Sequence, residues 1–282
     1  MPDLLADRTV KIEQGVSLHY IEAGEGKPLV MIPAWSMSAA AYKHQIAALA
    51  RNRRVIALDM RGHGESDKPK HGYRVSRLAA DLRTVIGALN LGEVDLFGHS
   101  MGCSVIWSYL DLFGDEGLGR LVLVDQAPVV TGKPGWSEED RKTYGCMFPD
   151  PAGLAGFYDA VVGAKDAEAT APVISRLFSA SLPADELRWF AGEAVKLPRQ
   201  HAADLLYDHC MIDWRDVIAA IRLPALGVGA RASIFSAESQ QWIAAQIPGA
   251  EVAIFEAEEG GSHFMCYENP EKFNALAEAF LA

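Results

Sequence analysis

The chain has 282 residues, is 50% hydrophobic and carries a formal net charge of −11 at pH 7. That length can bury one large core and a subsidiary lobe. The acidic balance argues against nucleic acid and anionic membrane surfaces as partners, because their phosphates would repel it.

The four cysteines, Cys103, Cys146, Cys210 and Cys266, are scattered, with no C-x-x-C pair and no metal-ligand spacing. They read as small core hydrophobes in a reducing compartment. The opening Met-Pro-Asp-Leu-Leu-Ala-Asp-Arg lacks the basic and then apolar pattern of a secretory leader. No stretch approaches the roughly eighteen uninterrupted apolar residues of a membrane span. A cytoplasmic protein without cofactor or metal is the expectation, and the composition is compatible with a homo-oligomer.

Residues 9–13 and 16–21 alternate as a hairpin does, with Gly15 at the turn. Residues 29–32 form a short continuous apolar run, the pattern of a strand covered on both faces. It ends in Pro33-Ala34-Trp35-Ser36-Met37-Ser38, and Ser38 is placed to cap a helix over 39–51. Residues 54–58 are a second buried strand, followed by the glycine-rich loop Asp59-Met-Arg-Gly-His-Gly-Glu-Ser66. Residues 75–91 carry Leu78, Leu82, Val85, Ile86 and Leu89 at helical spacing.

Residues 94–97 are a strand that runs into Gly98-His99-Ser100-Met101-Gly102, and an apolar helix begins at once. This is the G-x-S-x-G nucleophile elbow in its strand–turn–helix context. A serine stands exposed at the top of a sheet only if the chain reverses within about one residue, which strains its backbone and crowds the positions two away. Glycine at both places removes the clashing Cβ atoms. The helix aims its free amides at charge developing above Ser100.

Residues 121–124 are the next strand, ending at Asp125. From 129 to 221 only helical pieces are read, over 151–162, 167–180 and 184–197, with a capping box at Ser137-Glu-Glu-Asp140. The strand–helix rhythm resumes with a strand at 224–229, a helix over 238–247, a strand at 251–255 and a last helix opened by Asn269-Pro270. Alternation of this kind means an α/β, doubly wound and mostly parallel sheet, with active groups at the carboxyl ends of its strands.

A serine hydroxyl attacks only when a base takes its proton and a carboxylate holds that base in the right tautomer. His263 is the best base among the eight histidines, in the glycine-bearing loop Glu258-Glu-Gly-Gly-Ser-His-Phe264. His99 neighbours the nucleophile but should point away from its hydroxyl, and His63 reads as part of a structural turn. His19, His44, His71, His201 and His209 have no context beyond burial or solvent.

The segments Asp59-Met-Arg-Gly-His-Gly-Glu-Ser, Gly98-His-Ser-Met-Gly, Ile218-Ala-Ala-Ile-Arg-Leu-Pro and Gly261-Ser-His with Glu268-Asn-Pro resemble those of α/β-hydrolases that carry a cap, in the serine esterase and lactonase branch. The resemblance implies core segments at 1–128 and 222–282, a helical cap at 129–221, and the triad order Ser, acid, His. It also implies an oxyanion hole formed by the Trp35 and Met101 amides, although Pro33-Ala34 stands where relatives usually carry His-Gly. Trp35 as a pocket wall alone is the alternative.

The usual acid position, in a G-x-x-D pattern, here reads Gly229-Ala-Arg-Ala-Ser233. A neutral hydroxyl cannot supply the charge an imidazolium needs. Asp125 is the natural substitute, with Glu238 and a cap carboxylate or a weak dyad as alternatives. Serine at the nucleophile position argues against the dehalogenase and epoxide hydrolase branches, which need a carboxylate there. The expected activity is hydrolysis of a small apolar ester or lactone through an acyl-enzyme. A C–C bond hydrolase or cofactor-free perhydrolase would use the same triad, and a receptor on this scaffold would show little turnover.

Overall fold

The computed structural model describes residues 5–282. The first four residues, part of the stretch read for a secretory leader, lie outside it. One eight-stranded sheet, in the order β1-β2-β4-β3-β5-β6-β7-β8, organises the chain. β1 (Ala6–Glu13) and β2 (Val16–Ala23) form the antiparallel hairpin, with Gly15 at φ 75° in its turn. β2 also runs antiparallel to β4. The remaining strands, β3 (Pro28–Ile32), β4 (Arg54–Leu58), β5 (Val94–His99), β6 (Leu118–Val124), β7 (Ala225–Ala230) and β8 (Glu251–Phe255), are mutually parallel.

Continuous apolar runs suit strands buried on both faces, and successive residues serve opposite cores. Val30 and Ile32 face one core with Leu78, Leu82 and Trp107, while Leu29 and Met31 face the other with Ile46, Leu49 and Phe273. Helices α2 (Val75–Ala88) and α3 (Met101–Phe113) cover the first face, and α1 (Lys43–Leu49) and the C-terminal helix cover the second.

Between β6 and β7 the chain makes six helices: α4 (Glu138–Thr143), α5 (Pro151–Gly163), α6 (Ala167–Ile174), α7 (Ala184–Ala194), α8 (Arg199–Cys210) and α9 (Arg215–Ala220). The Ser137 capping box forms, with Asp140 as its return partner. After β7 come α10 (Ala237–Gln246), the short α11 (Met265–Glu268) and α12 (Pro270–Leu281), whose cap is Asn269 accepting from the Lys272 amide.

Among the departures from the sequence reading, three helices stand out. The helix expected over 39–51 begins as a 3-10 turn (Ala39–Tyr42), and Ser38 does not cap it. The Ser38 hydroxyl donates to Glu193 Oε2 at 2.5 Å, and Asp59 Oδ1 takes the Ala39 amide at 2.7 Å. The helix expected over 167–180 stops at Ile174, with Pro172 inside it and a 3-10 turn after it. Helix α8 was not anticipated. Its buried positions include Ala202, Ala203, Leu205, Leu206, His209 and Cys210, a stripe of small and polar side chains that periodicity reads poorly.

Candidate active site

The loops after β3, β5, β6, β7 and β8 leave the same edge of the sheet, because these strands are parallel. That edge gathers Trp35, Ser100, Asp125, Ser233 and His263. Ser100 sits at φ 53°, ψ −122°, between β5 and α3. A Cβ on Gly102 would lie 2.2 Å from the Ile32 carbonyl oxygen, and one on Gly98 would lie 2.7 Å from the Cys103 nitrogen. The elbow therefore tolerates only glycine at both places.

Among the described residues, four non-glycine residues adopt positive φ: Ser36, Asn90, Ser100 and Asp125. Three of these belong to the carboxyl edge, so backbone strain concentrates where side chains and amides must be aimed.

Asp125 is fully buried and reaches His263, Nδ1 to Oδ2 at 2.6 Å. Ser233 occupies the place where an acid was expected in the loop after β7. Its hydroxyl donates to Asp125 Oδ2 and lies 3.4 Å from His263 Nδ1. Sequence reasoning found no role for this serine; its place at the expected acid position was the available signal. Burial raises the Asp125 carboxyl well above its ordinary value, and the Ser233 hydrogen bond works against that. Burial lowers the His263 imidazole, which keeps it neutral and able to accept a proton. Glu238, the alternative acid, lies on α10 and pairs with Lys142 at 3.0 Å, 40% exposed.

Ser100 and His263 line one cavity without a direct hydrogen bond between them; such contacts commonly tighten only with substrate. Neither the Trp35 nor the Met101 amide is among the backbone donors of the described loops and turns. The Trp35 side chain is also a cavity wall. Its Nε1 donates to the Ala202 carbonyl at 2.8 Å, and the Arg199 guanidinium lies 5.5 Å from its ring centre.

His99 points away from Ser100. Its Nε2 donates to the His263 carbonyl at 2.9 Å, so its Nδ1 accepts from the Tyr42 hydroxyl, also at 2.9 Å. Tyr42 in turn accepts the Ala34 amide at 3.0 Å. One buried chain of hydrogen bonds thus joins the loop after β3 to the loop bearing His263. That second loop is folded tightly: a Cβ on Gly261 would lie 2.4 Å from the Glu256 carbonyl oxygen, and the Ser262 hydroxyl donates to Glu268.

His63 is buried with its Nδ1 3.0 Å from the Arg61 carbonyl, within the turn organised by Asp59. Among the described residues, no group of three or more His, Cys, Asp or Glu side chains could hold a metal ion, and no helix is long and apolar enough to cross a membrane.

The cavity, about 60 Å³, is roofed by the inserted helices, with Phe157 and Leu206 facing Trp35, Ile234 and Phe235. A strained serine and a neutral imidazole at one apolar cavity, with a carboxyl group behind the imidazole, are the groups that nucleophilic acyl transfer uses.

Comparison with known proteins gives the same architecture. An AB hydrolase superfamily protein of Bacillus subtilis is 29% identical over 278 residues, covering 96% of this chain and 97% of its own. A bromoperoxidase from Bacillus anthracis superposes with a TM-score of 0.87 at 24% identity, over 98% of this chain and 99% of that one. An esterase from Exiguobacterium antarcticum superposes with a TM-score of 0.87 at 23% identity, over 98% and 100%. The model of the alpha/beta hydrolase fold family matches residues 27–160, which hold the loop after β3, the elbow and Asp125. With its mostly parallel eight-stranded sheet and a serine at the elbow, the chain has the α/β-hydrolase fold.

Proposed function

We propose that this protein is a serine hydrolase of small carboxylic esters or lactones. The observation that carries this reading is the shared cavity of Ser100 and His263, with Asp125 2.6 Å behind the imidazole. His263 takes the Ser100 proton as the hydroxyl attacks the carbonyl carbon, and the Trp35 and Met101 amides hold the resulting oxyanion. The C–O bond then breaks, His263 gives its proton to the leaving alcohol, and an acyl-enzyme remains. Water, deprotonated by His263, releases the acid and restores Ser100. Asp125 fixes the imidazole tautomer and balances its charge. Residues 129–221 serve as a cap that closes the acyl pocket and shapes its selectivity.

Turnover of short p-nitrophenyl esters and simple lactones tests the reading. Ser100→Ala should lose on the order of 10⁶ in turnover. Near-wild-type hydrolysis by that variant, or no turnover of any ester or lactone by the intact protein, would overturn it.

A further inference from the structure

Among the described residues lining the cavity, the ionisable side chains besides His263 and the Cys210 thiol are Arg176 and His209, and the Trp35 Nε1 is already taken by the Ala202 carbonyl. Arg176 is exposed and meets solvent. His209, on α8, is 3% exposed, and its Nδ1 is enclosed without a hydrogen-bond partner. It stands in a wall otherwise apolar there, beside Leu206 and Cys210.

A buried polar group left unpaired costs roughly 1–3 kcal/mol, and an apolar side chain of similar size would close the same wall without that cost. Burial lowers the His209 imidazole to about 4, so near neutrality it offers one N–H donor and one bare nitrogen acceptor. With Nδ1 enclosed, only the other ring nitrogen can meet a ligand, and one neutral nitrogen matches a hydroxyl or keto oxygen better than a carboxylate, which calls for a full positive charge. The enclosed volume of about 60 Å³ suits a short acyl group.

We propose that His209 is a specificity-determining residue, and that the acyl part of the substrate is short and bears a hydroxyl or keto oxygen that His209 hydrogen-bonds. This rests on the serine hydrolase reading of Ser100. It makes the substrate a hydroxy- or keto-acyl ester, or the corresponding small lactone, in place of a purely apolar one.

The test compares p-nitrophenyl butyrate with the 2-, 3- and 4-hydroxybutyrates and the 3-oxobutyrate, using the full chain. The wild type should favour at least one oxygenated ester by about tenfold in kcat/KM, chiefly through KM. In His209→Phe that preference should collapse to about one, and His209→Gln should recover part of it. The quantity read is the ratio between two esters within one variant, so a general loss of activity cancels. Absence of any preference in the wild type, or a preference that survives in His209→Phe, would overturn the proposal. So would one lost in Arg176→Gln and kept in His209→Phe.

Should His209→Phe fail to fold, the wild-type ratio and the glutamine variant still decide. Calorimetric binding of butyramide and the hydroxybutyramides to Ser100→Ala separates the two readings. Selective binding of a hydroxyamide would uphold the pocket assignment even if ester turnover were absent. Equal or no binding would sink the pocket assignment while leaving the ester hydrolase reading to its own kinetics.

Discussion

Asp125 is held at φ 46° at the end of β6, an uncommon backbone state for aspartate that aims its carboxylate at His263. The proposed acid stands one strand from the place where the resemblance puts it, and Ser233, at that place, is hydrogen-bonded to Asp125. Asp125→Asn should therefore lose about 10⁴ in turnover, because an amide stabilises the wrong imidazole tautomer. Adding Ser233→Asp to that variant should restore at least tenfold of the loss, since it returns a carboxylate to within reach of Nδ1. Steady-state kinetics on the single and double variants would show it, and a double variant no better than the single would place the acid elsewhere. The base titrates at the same scale. Only neutral His263 accepts the serine proton, so activity falls as pH drops through its pKa. Burial lowers that pKa, so the acid limb of kcat/KM should lie below about 6.5, the ordinary histidine value. A limb above 7 would contradict the burial argument.

At the scale of elements, the loop after β3 is tied to the inserted helices. Trp35 Nε1 donates to Ala202 on α8, Ser38 to Glu193 on α7, and Arg199 lies beside Trp35 while donating to the Ala194 carbonyl at 2.8 Å. Arg199 is 8% exposed, and its Nε and Nη2 are enclosed without partners. Burial lowers its pKa to about 10, so it stays charged near neutrality. A buried cation of that kind is costly, and its guanidinium stands against the Trp35 ring at the cavity wall. Arg199→Met keeps the apolar stem and removes the charge. It should reduce kcat about tenfold with KM little changed, without lowering Tm. A lowered Tm with kcat intact would mean that Arg199 serves packing alone. Much of this element-level detail was illegible in the chain. Ser38 reads as a cap by local rules, but a carboxylate 155 residues away takes its hydroxyl, and local rules do not see such partners. Helix α8 escaped notice for a related reason: its buried stripe mixes Ala, His and Cys with Leu, and it is selected by the surface it meets.

For the molecule as a whole, the inserted helices and the sheet share an aromatic seam next to the site. Phe178 and Phe190 pack on Phe264, with ring centres 4.7 and 5.5 Å apart, and Phe264 follows His263 in the chain. Phe190 is fully buried. Phe190→Ala should cost about 3–5 kcal/mol, read as a lower midpoint in chemical denaturation, and should reduce turnover as well, because the seam supports the His263 loop. Stability lost with turnover intact would separate that loop from the inserted helices. The strands, the sheet class and the elbow were readable from the chain alone. Each depends on contacts within a few residues or on the two-residue and 3.6-residue periodicities of apolar side chains. The glycines flanking Ser100 answer a clash that any strand–turn–helix reversal creates, so they announce the elbow without a structure. Tertiary structure alone decided which side chains face one another across the cavity. It set Ser233 against Asp125, Arg199 against Trp35 and His209 into the pocket wall. Those pairings join segments far apart in the chain, and burial and hydrogen bonding among such segments are settled only when the sheet edge and the inserted helices close on each other.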